Sequence, residues 1–172
     1  MQTFTSSATS INRSKLPAVY RKATFSRTTP FLVDWGCGKY VDHIRNALKD
    51  QNKILYPYDP FNQPSHINRH TMDFLYWAEH EHVEIDIVCS NVLNVIDSDG
   101  EISRICYRLE QIATATGGTA YVTVYEGDRS GVGRQTGRDQ YQRNESLRDY
   151  LRFFHNATIR NGMIIVNGGT NK

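Results

Sequence analysis

This chain has no excess of one charge, no paired cysteines and no long apolar run. Its 172 residues carry 20 lysines and arginines against 18 aspartates and glutamates, so net charge selects no class of partner. No segment approaches the roughly 20 apolar residues of a membrane helix. Met1 to Ser14 is rich in serine and threonine and lacks the apolar core of a secretory signal. The three cysteines, Cys37, Cys89 and Cys106, are odd in number and have no metal-ligand spacing, which favours reduced thiols and a cytoplasmic setting. Of the histidines, His66/His70 and His80-Glu81-His82 come nearest to a ligand pattern, but no third and fourth ligand of matching spacing stands out, and no metal is expected. The length suits one domain with a real core.

What is present is an alternation of short apolar runs and helical patterns. Residues 1–14 read as a flexible polar tail, and 15–172 as a single domain. Residues 15–30 read as a short helix or arm packed on that domain. Phe31–Asp34 is expected as a buried strand, followed by a helix over 39–49 with Val41, Ile44 and Leu48 on one face. Ile54–Asp59 is a second strand, and Pro57, which has no N–H to donate, places it at or near a sheet edge. No strand is expected over 62–70. A helix over 71–79 and a strand over 85–89 follow. Ser98-x-x-Glu101 is a capping-box pattern that opens a helix bearing Ile102, Ile105, Leu109 and Ile112, and Gly117-Gly118 ends it. A strand over 119–125, a long polar loop over 126–144, a helix over 145–154 and a strand over 163–166 complete the reading. The fold expected is α/β, a mostly parallel Rossmann-like sheet flanked by helices and shortened at its margin.

The most informative stretch is Phe31-Leu32-Val33-Asp34-Trp35-Gly36-Cys37-Gly38-Lys39-Tyr40. Glycines directly after a strand let the backbone turn sharply and approach a ligand, and the next helix aims free N–H groups at the same place. Such a turn gains weight from an acid about 20 residues on, at the end of the second strand, to accept hydrogen bonds from ribose hydroxyls. Asp59 lies 21 residues after Gly38. The dinucleotide pattern G-x-G-x-x-G requires a glycine where Val41 stands. An acid immediately before the glycines, Asp34, repels a pyrophosphate but suits a ligand bearing an ammonium group and a sulfonium.

Asp34-Trp35-Gly36-Cys37-Gly38-Lys39 resembles the first motif of class I S-adenosylmethionine-dependent methyltransferases, and Tyr58-Asp59-Pro60 the second. Cys89-Ser90-Asn91-Val92-Leu93-Asn94-Val95-Ile96 is similar to the end of that family's fourth strand. With Lys22-Ala23-Thr24-Phe25-Ser26-Arg27 ahead of them, the motifs are closest to a bacterial and phage lineage of small methyltransferases, some linked to DNA modification. The resemblance covers roughly residues 20–125. It implies S-adenosylmethionine as cofactor, with Asp34 facing its amino group and Gly36, Cys37 and Gly38 lining its methionine portion. It also implies Asp59 on the ribose, Pro60 and Phe61 beside the adenine, Asn91 and Val92 beside the transferred methyl, and Arg27 as a partner for the carboxylate. Tyr40 occupies the place of the family's third glycine, and Asp73 is the candidate for the adenine-binding acid.

The acceptor is left open between a small molecule and nucleic acid. Methyl transfer asks mainly for positioning, because the sulfonium is already activated, so no catalytic residue is assigned. No Asn/Asp-Pro-Pro-aromatic motif follows the strand at 85–89, and no Pro-Cys pair occurs, which disfavours the usual DNA amino- and C5-methylation chemistries. Residues 126–152 hold six arginines interleaved with amides and Tyr141. They are expected to form a substrate lid, with Tyr125, Arg129, Arg134 and Gln140 as its contacts, or else a nucleic-acid surface. The alternatives are a non-catalytic cofactor-binding or DNA-modification-associated module and, more remotely, a nucleotide-dependent oxidoreductase.

Overall fold

The computed structural model describes residues 2–5, 16–39 and 41–169. In chain order the elements are α1 (Val19–Lys22), β1 (Phe31–Trp35), α2 (Val41–Leu48), β2 (Ile54–Tyr58), α3 (Ser65–His80), β3 (Asp86–Ser90), α4 (Asp99–Thr116), β4 (Thr119–Thr123), β5 (Arg134–Gly137), β6 (Gln140–Gln142), β7 (Thr158–Arg160) and β8 (Met163–Asn167), with short 3₁₀ turns at 49–51, 93–95 and 147–153. Six strands form one sheet in the order β2-β1-β3-β4-β8-β7. β1 to β4 run parallel, and β8 runs against both of its neighbours.

The central parts of the parallel strands are apolar on both faces because helices cover both. Successive side chains alternate between two cores. Val33, Ile87, Cys89, Ala120 and Val122 point to one side, against Leu75, Ala78, Ile102, Leu109 and Ile112 of α3 and α4. Leu32, Val88 and Tyr121 point to the other, against Val19, Tyr20, Ile44 and Leu48 of α1 and α2. No described helix is long and apolar enough to cross a membrane.

β2 is the sheet margin, as Pro57 foretells. Its alternate residues bond inward to β1, and the outward groups of Pro57 and Asp59 are capped by α3. Pro57 has no donor, its carbonyl accepts from Thr71 Oγ1 at 2.7 Å, and the Asp59 N–H donates to Asn68 Oδ1 at 2.8 Å. The edge is therefore blunted rather than open. These contacts explain why α3 starts at Ser65, six residues ahead of the expected start. Its first two turns serve the β2 edge and solvent, so they lack an apolar stripe.

At the opposite end of the strands, Lys53 Nζ meets Asp86 Oδ2 at 2.8 Å with both side chains almost wholly buried. The ammonium also donates to the Ser26 and Thr29 carbonyls, at 2.7 and 2.8 Å, and the Ser26 N–H donates to Asp86. This cluster fastens the arm that precedes β1. Three further features differ from the sequence expectation. The 126–144 segment folds into the β5–β6 hairpin, residues 147–153 form a 3₁₀ rather than an α-helix, and β7 adds an outer strand through the turn at Asn161-Gly162, both at positive φ.

Candidate functional site

Parallel pairing carries the carboxyl ends of β1 to β4 to one side of the sheet. The chain leaves β1 outward to β2 and then returns across β1 to β3, so the loops after β1 and β3 diverge. This reversal is where open α/β sheets form a ligand crevice. A cleft of about 1020 Å³ occupies it, floored by the β1 turn, the β2 exit and the Ser90–Val92 segment, and walled by α4 and the hairpin.

The β1 turn is built by two left-handed glycines, Gly36 (φ 83°) and Gly38 (φ 66°). A Cβ at Gly36 would lie 2.3 Å from Val92 Cγ2, so this backbone passes directly under the β3 loop. The Gly36 and Cys37 N–H groups donate to the Tyr58 carbonyl at 2.7 and 3.2 Å, and Gln63 Nε2 donates to the Gly38 carbonyl at 2.6 Å. The turn is thereby held against the β2 exit.

Asp59 completes that junction. Its Oδ2 accepts from the Gly38 N–H at 2.9 Å, and its Oδ1 accepts from the Phe61 and Asn62 N–H groups, each at 2.9 Å. The Asn62 amide reaches both oxygens, at 3.2 and 3.1 Å. A carboxylate offers about four lone-pair sites, and all of Asp59's are engaged. Asp59 thus locks two turns together, and a ligand hydroxyl reaches it only in place of the Asn62 side chain, which lines the cleft.

Asp34 is different. It is 2% exposed, and among the described residues its carboxyl receives one hydrogen bond, from Tyr20 Oη to Oδ2 at 2.5 Å. Burial lifts its pKa to about 7. The Tyr20 hydrogen bond opposes that rise, and the nearby charge of Asp59 adds to it. The Cys37 thiol is pushed far up by burial and by the two carboxylates, which keeps it protonated and makes it a packing residue of the turn.

Asn91 sits at the cleft in the left-handed region (φ 57°), and its N–H donates to the Thr123 carbonyl at 2.8 Å. Asparagine adopts this conformation readily, and here it turns the chain out of β3. The hairpin docks behind it through buried amides. Asn94 Nδ2 donates to Gln142 Oε1 at 3.1 Å, Gln142 Nε2 donates to the Tyr125 carbonyl at 2.9 Å, and the Arg143 N–H donates to the Asn94 carbonyl at 2.9 Å. Arg143, itself buried, donates to the Ile96 carbonyl and to Asp99 and Glu145.

Of the residues singled out by sequence, Asp34, Gly36, Cys37, Gly38, Asp59, Pro60, Phe61, Asn91, Val92, Tyr125 and Gln140 all line this cleft. Four do not. Asp73 is exposed on α3, whose buried face carries Thr71, Phe74, Leu75 and Ala78, and residue 73 falls off that face. Arg27 is exposed on the arm. Arg129 pairs with Glu126 and faces a smaller depression, and Arg134 lies 3.8 Å from Asp128. Tyr40 lies outside the described residues. Sequence reasoning missed Tyr20, Asn62, Asn94 and Gln142, whose roles depend on tertiary pairing, and it missed residues 2–5. The Thr3 N–H donates to Asp97, and the Thr5 N–H donates to Asp139 Oδ1 at 2.9 Å. Among the described residues no group of three or more His, Cys, Asp or Glu side chains is placed to hold a metal ion.

Compared with known proteins, the chain matches no protein-family model, no curated protein and no solved structure.

Proposed function

We propose that this chain is an S-adenosylmethionine-dependent methyltransferase that binds its cofactor at the β1–β3 crevice. The observation that carries the reading is the buried Asp34 carboxyl beside the glycine turn, with one oxygen held by Tyr20 and the other without a hydrogen-bond donor among the described residues. An ammonium group supplies what that oxygen lacks. Two carboxylates so close to the helix N-terminus oppose a pyrophosphate, which argues against a dinucleotide despite the favourable backbone amides.

The residues present fit such a cofactor. Asp34 would take the amino group, the Gly36–Gly38 backbone would line the methionine portion, and Phe61, 47% exposed at the rim, would cover the adenine. The ribose falls to the Asp59–Asn62 pair rather than to Asp59 alone, because Asp59 is already committed to three backbone N–H groups. When bound, the cofactor supplies an activated methyl group. The protein's own part is to orient, to exclude water and to hold the acceptor near Asn91. Isothermal titration with S-adenosylhomocysteine tests the reading. Saturable binding that is lost in Asp34→Asn, with no binding of a nicotinamide dinucleotide, is the expected result. The reading fails if S-adenosylmethionine and S-adenosylhomocysteine both leave the protein unsaturated.

A further inference from the structure

Residues 2–5 are pinned to two separate walls of the cleft. The Thr3 N–H donates to both oxygens of Asp97, at 2.9 and 3.2 Å, on the loop that leads into α4. The Thr5 N–H and hydroxyl both donate to Asp139, at the tip of the β5–β6 hairpin. Between them the Phe4 ring stacks on Tyr141 of the hairpin, with centroids 5.5 Å apart and planes inclined by 10°. Gln2 folds back to donate to the Phe4 carbonyl at 2.7 Å, and Gln2 and Thr5 both line the cleft. These contacts span 94 and 134 residues of sequence, so they do not arise from local chain preference.

We infer that residues 2–5 are a strap across the cleft, and that the methyl acceptor is a small molecule admitted when the strap lifts. The acceptor assignment rests on the methyltransferase reading; the strap does not. The cleft's 1020 Å³ is at the top of the range of about 300–1,000 Å³ in which one small ligand is held, so it has room for a cofactor and a modest second molecule. The wall contributed by the strap and hairpin is polar without charge, presenting Gln2, Thr5, Thr136, Gln140, Tyr141 and Gln142. A nucleic acid requires free cations, and four of the six arginines between 126 and 152 face carboxylates instead, Arg129 on Glu126, Arg134 on Asp128, Arg143 on Asp99 and Glu145, and Arg152 on Glu145.

Trp35 reports on access to the cleft without any ligand, because it lines the cleft and is 9% exposed. In a Trp77→Phe background it is the sole tryptophan. Deleting residues 1–5, or replacing Phe4→Ala in the full chain, should raise the acrylamide quenching constant of Trp35 at least about twofold, as expected for a locally opened segment. Amide exchange in the intact-tryptophan protein gives a second readout, with 91–96 and 134–142 faster after deletion and β1 and β3 unchanged. Equal quenching and equal exchange with and without the strap would overturn the strap. Fluorescence anisotropy with labelled single-stranded and duplex oligonucleotides should show no saturable binding at low salt. Saturable, salt-sensitive binding would overturn the small-molecule assignment while leaving cofactor titration to judge the methyltransferase reading separately.

Discussion

Asp34→Asn tests the central electrostatic feature of the cleft. The carboxyl is pushed from an ordinary 3.8 to about 7, chiefly by burial. At roughly 1.4 kcal/mol per pH unit, that rise amounts to about 4 kcal/mol. The sign follows from proton counting. Between pH 3.8 and about 7 the folded state holds a proton that the unfolded chain has released, so stability falls as pH rises across that window and levels off above it. Asparagine mimics the protonated carboxyl, keeps an acceptor for Tyr20 and cannot ionise. Urea unfolding at a series of pH values should show the variant close to the parent near pH 4 and more stable by a few kcal/mol at pH 8, with most of the parent's slope gone. The same substitution should abolish binding of the ammonium-bearing cofactor, and in the parent at pH 6 that binding should release a proton, seen as a buffer-dependent heat in calorimetry. A variant that is less stable than the parent at pH 8, or a slope that persists unchanged, would refute the assignment of the buried charge to Asp34.

Three other outcomes are expected. Gly36→Ala places a methyl against Val92 at a left-handed backbone position and should cost about 1–3 kcal/mol in urea unfolding, with Val92→Ala relieving the clash but not the backbone strain. Lys53→Met leaves Asp86 as an unpaired buried charge and should cost about 3–5 kcal/mol, whereas Lys53→Met with Asp86→Leu should recover much of that in the same assay. Thr71→Val removes the donor to the Pro57 carbonyl and should cost about 1–3 kcal/mol and promote self-association through the β2 edge, measurable by sedimentation.

The parallel half of the sheet was legible because strands covered on both faces carry consecutive apolar residues, as Leu32 to Val33 and Ile87 to Cys89 do. Pro57 revealed the margin because a missing donor is a property of the residue itself. The glycine turn and Asp59 were legible as partners because their spacing is that of one strand–helix–strand unit. What Asp59 does was not legible. Its oxygens are engaged by amides that only the folded junction brings together, and Asn62 reads in sequence as one more polar loop residue. Tyr20 reads as an apolar residue of the arm, since nothing local reveals that its hydroxyl ends at Asp34. The β5–β6 hairpin and β7 escaped notice for the converse reason. Arg134 to Gly137 and Thr158 to Arg160 are largely exposed, and a strand with no buried face carries no hydrophobic period.

The place of β8 bears on how the chain is made. It pairs directly with β4, through Ala120 with Val166 and Tyr121 with Ile165, yet it is synthesised some forty residues later. A nascent chain that has reached the hairpin already holds β1 to β4, but β4 then presents an uncovered row of amides beside Tyr121 and Val122. The sheet is sealed only when residues 163–167 have left the ribosome. Until then β4 is the surface that a chaperone or a second nascent chain would find.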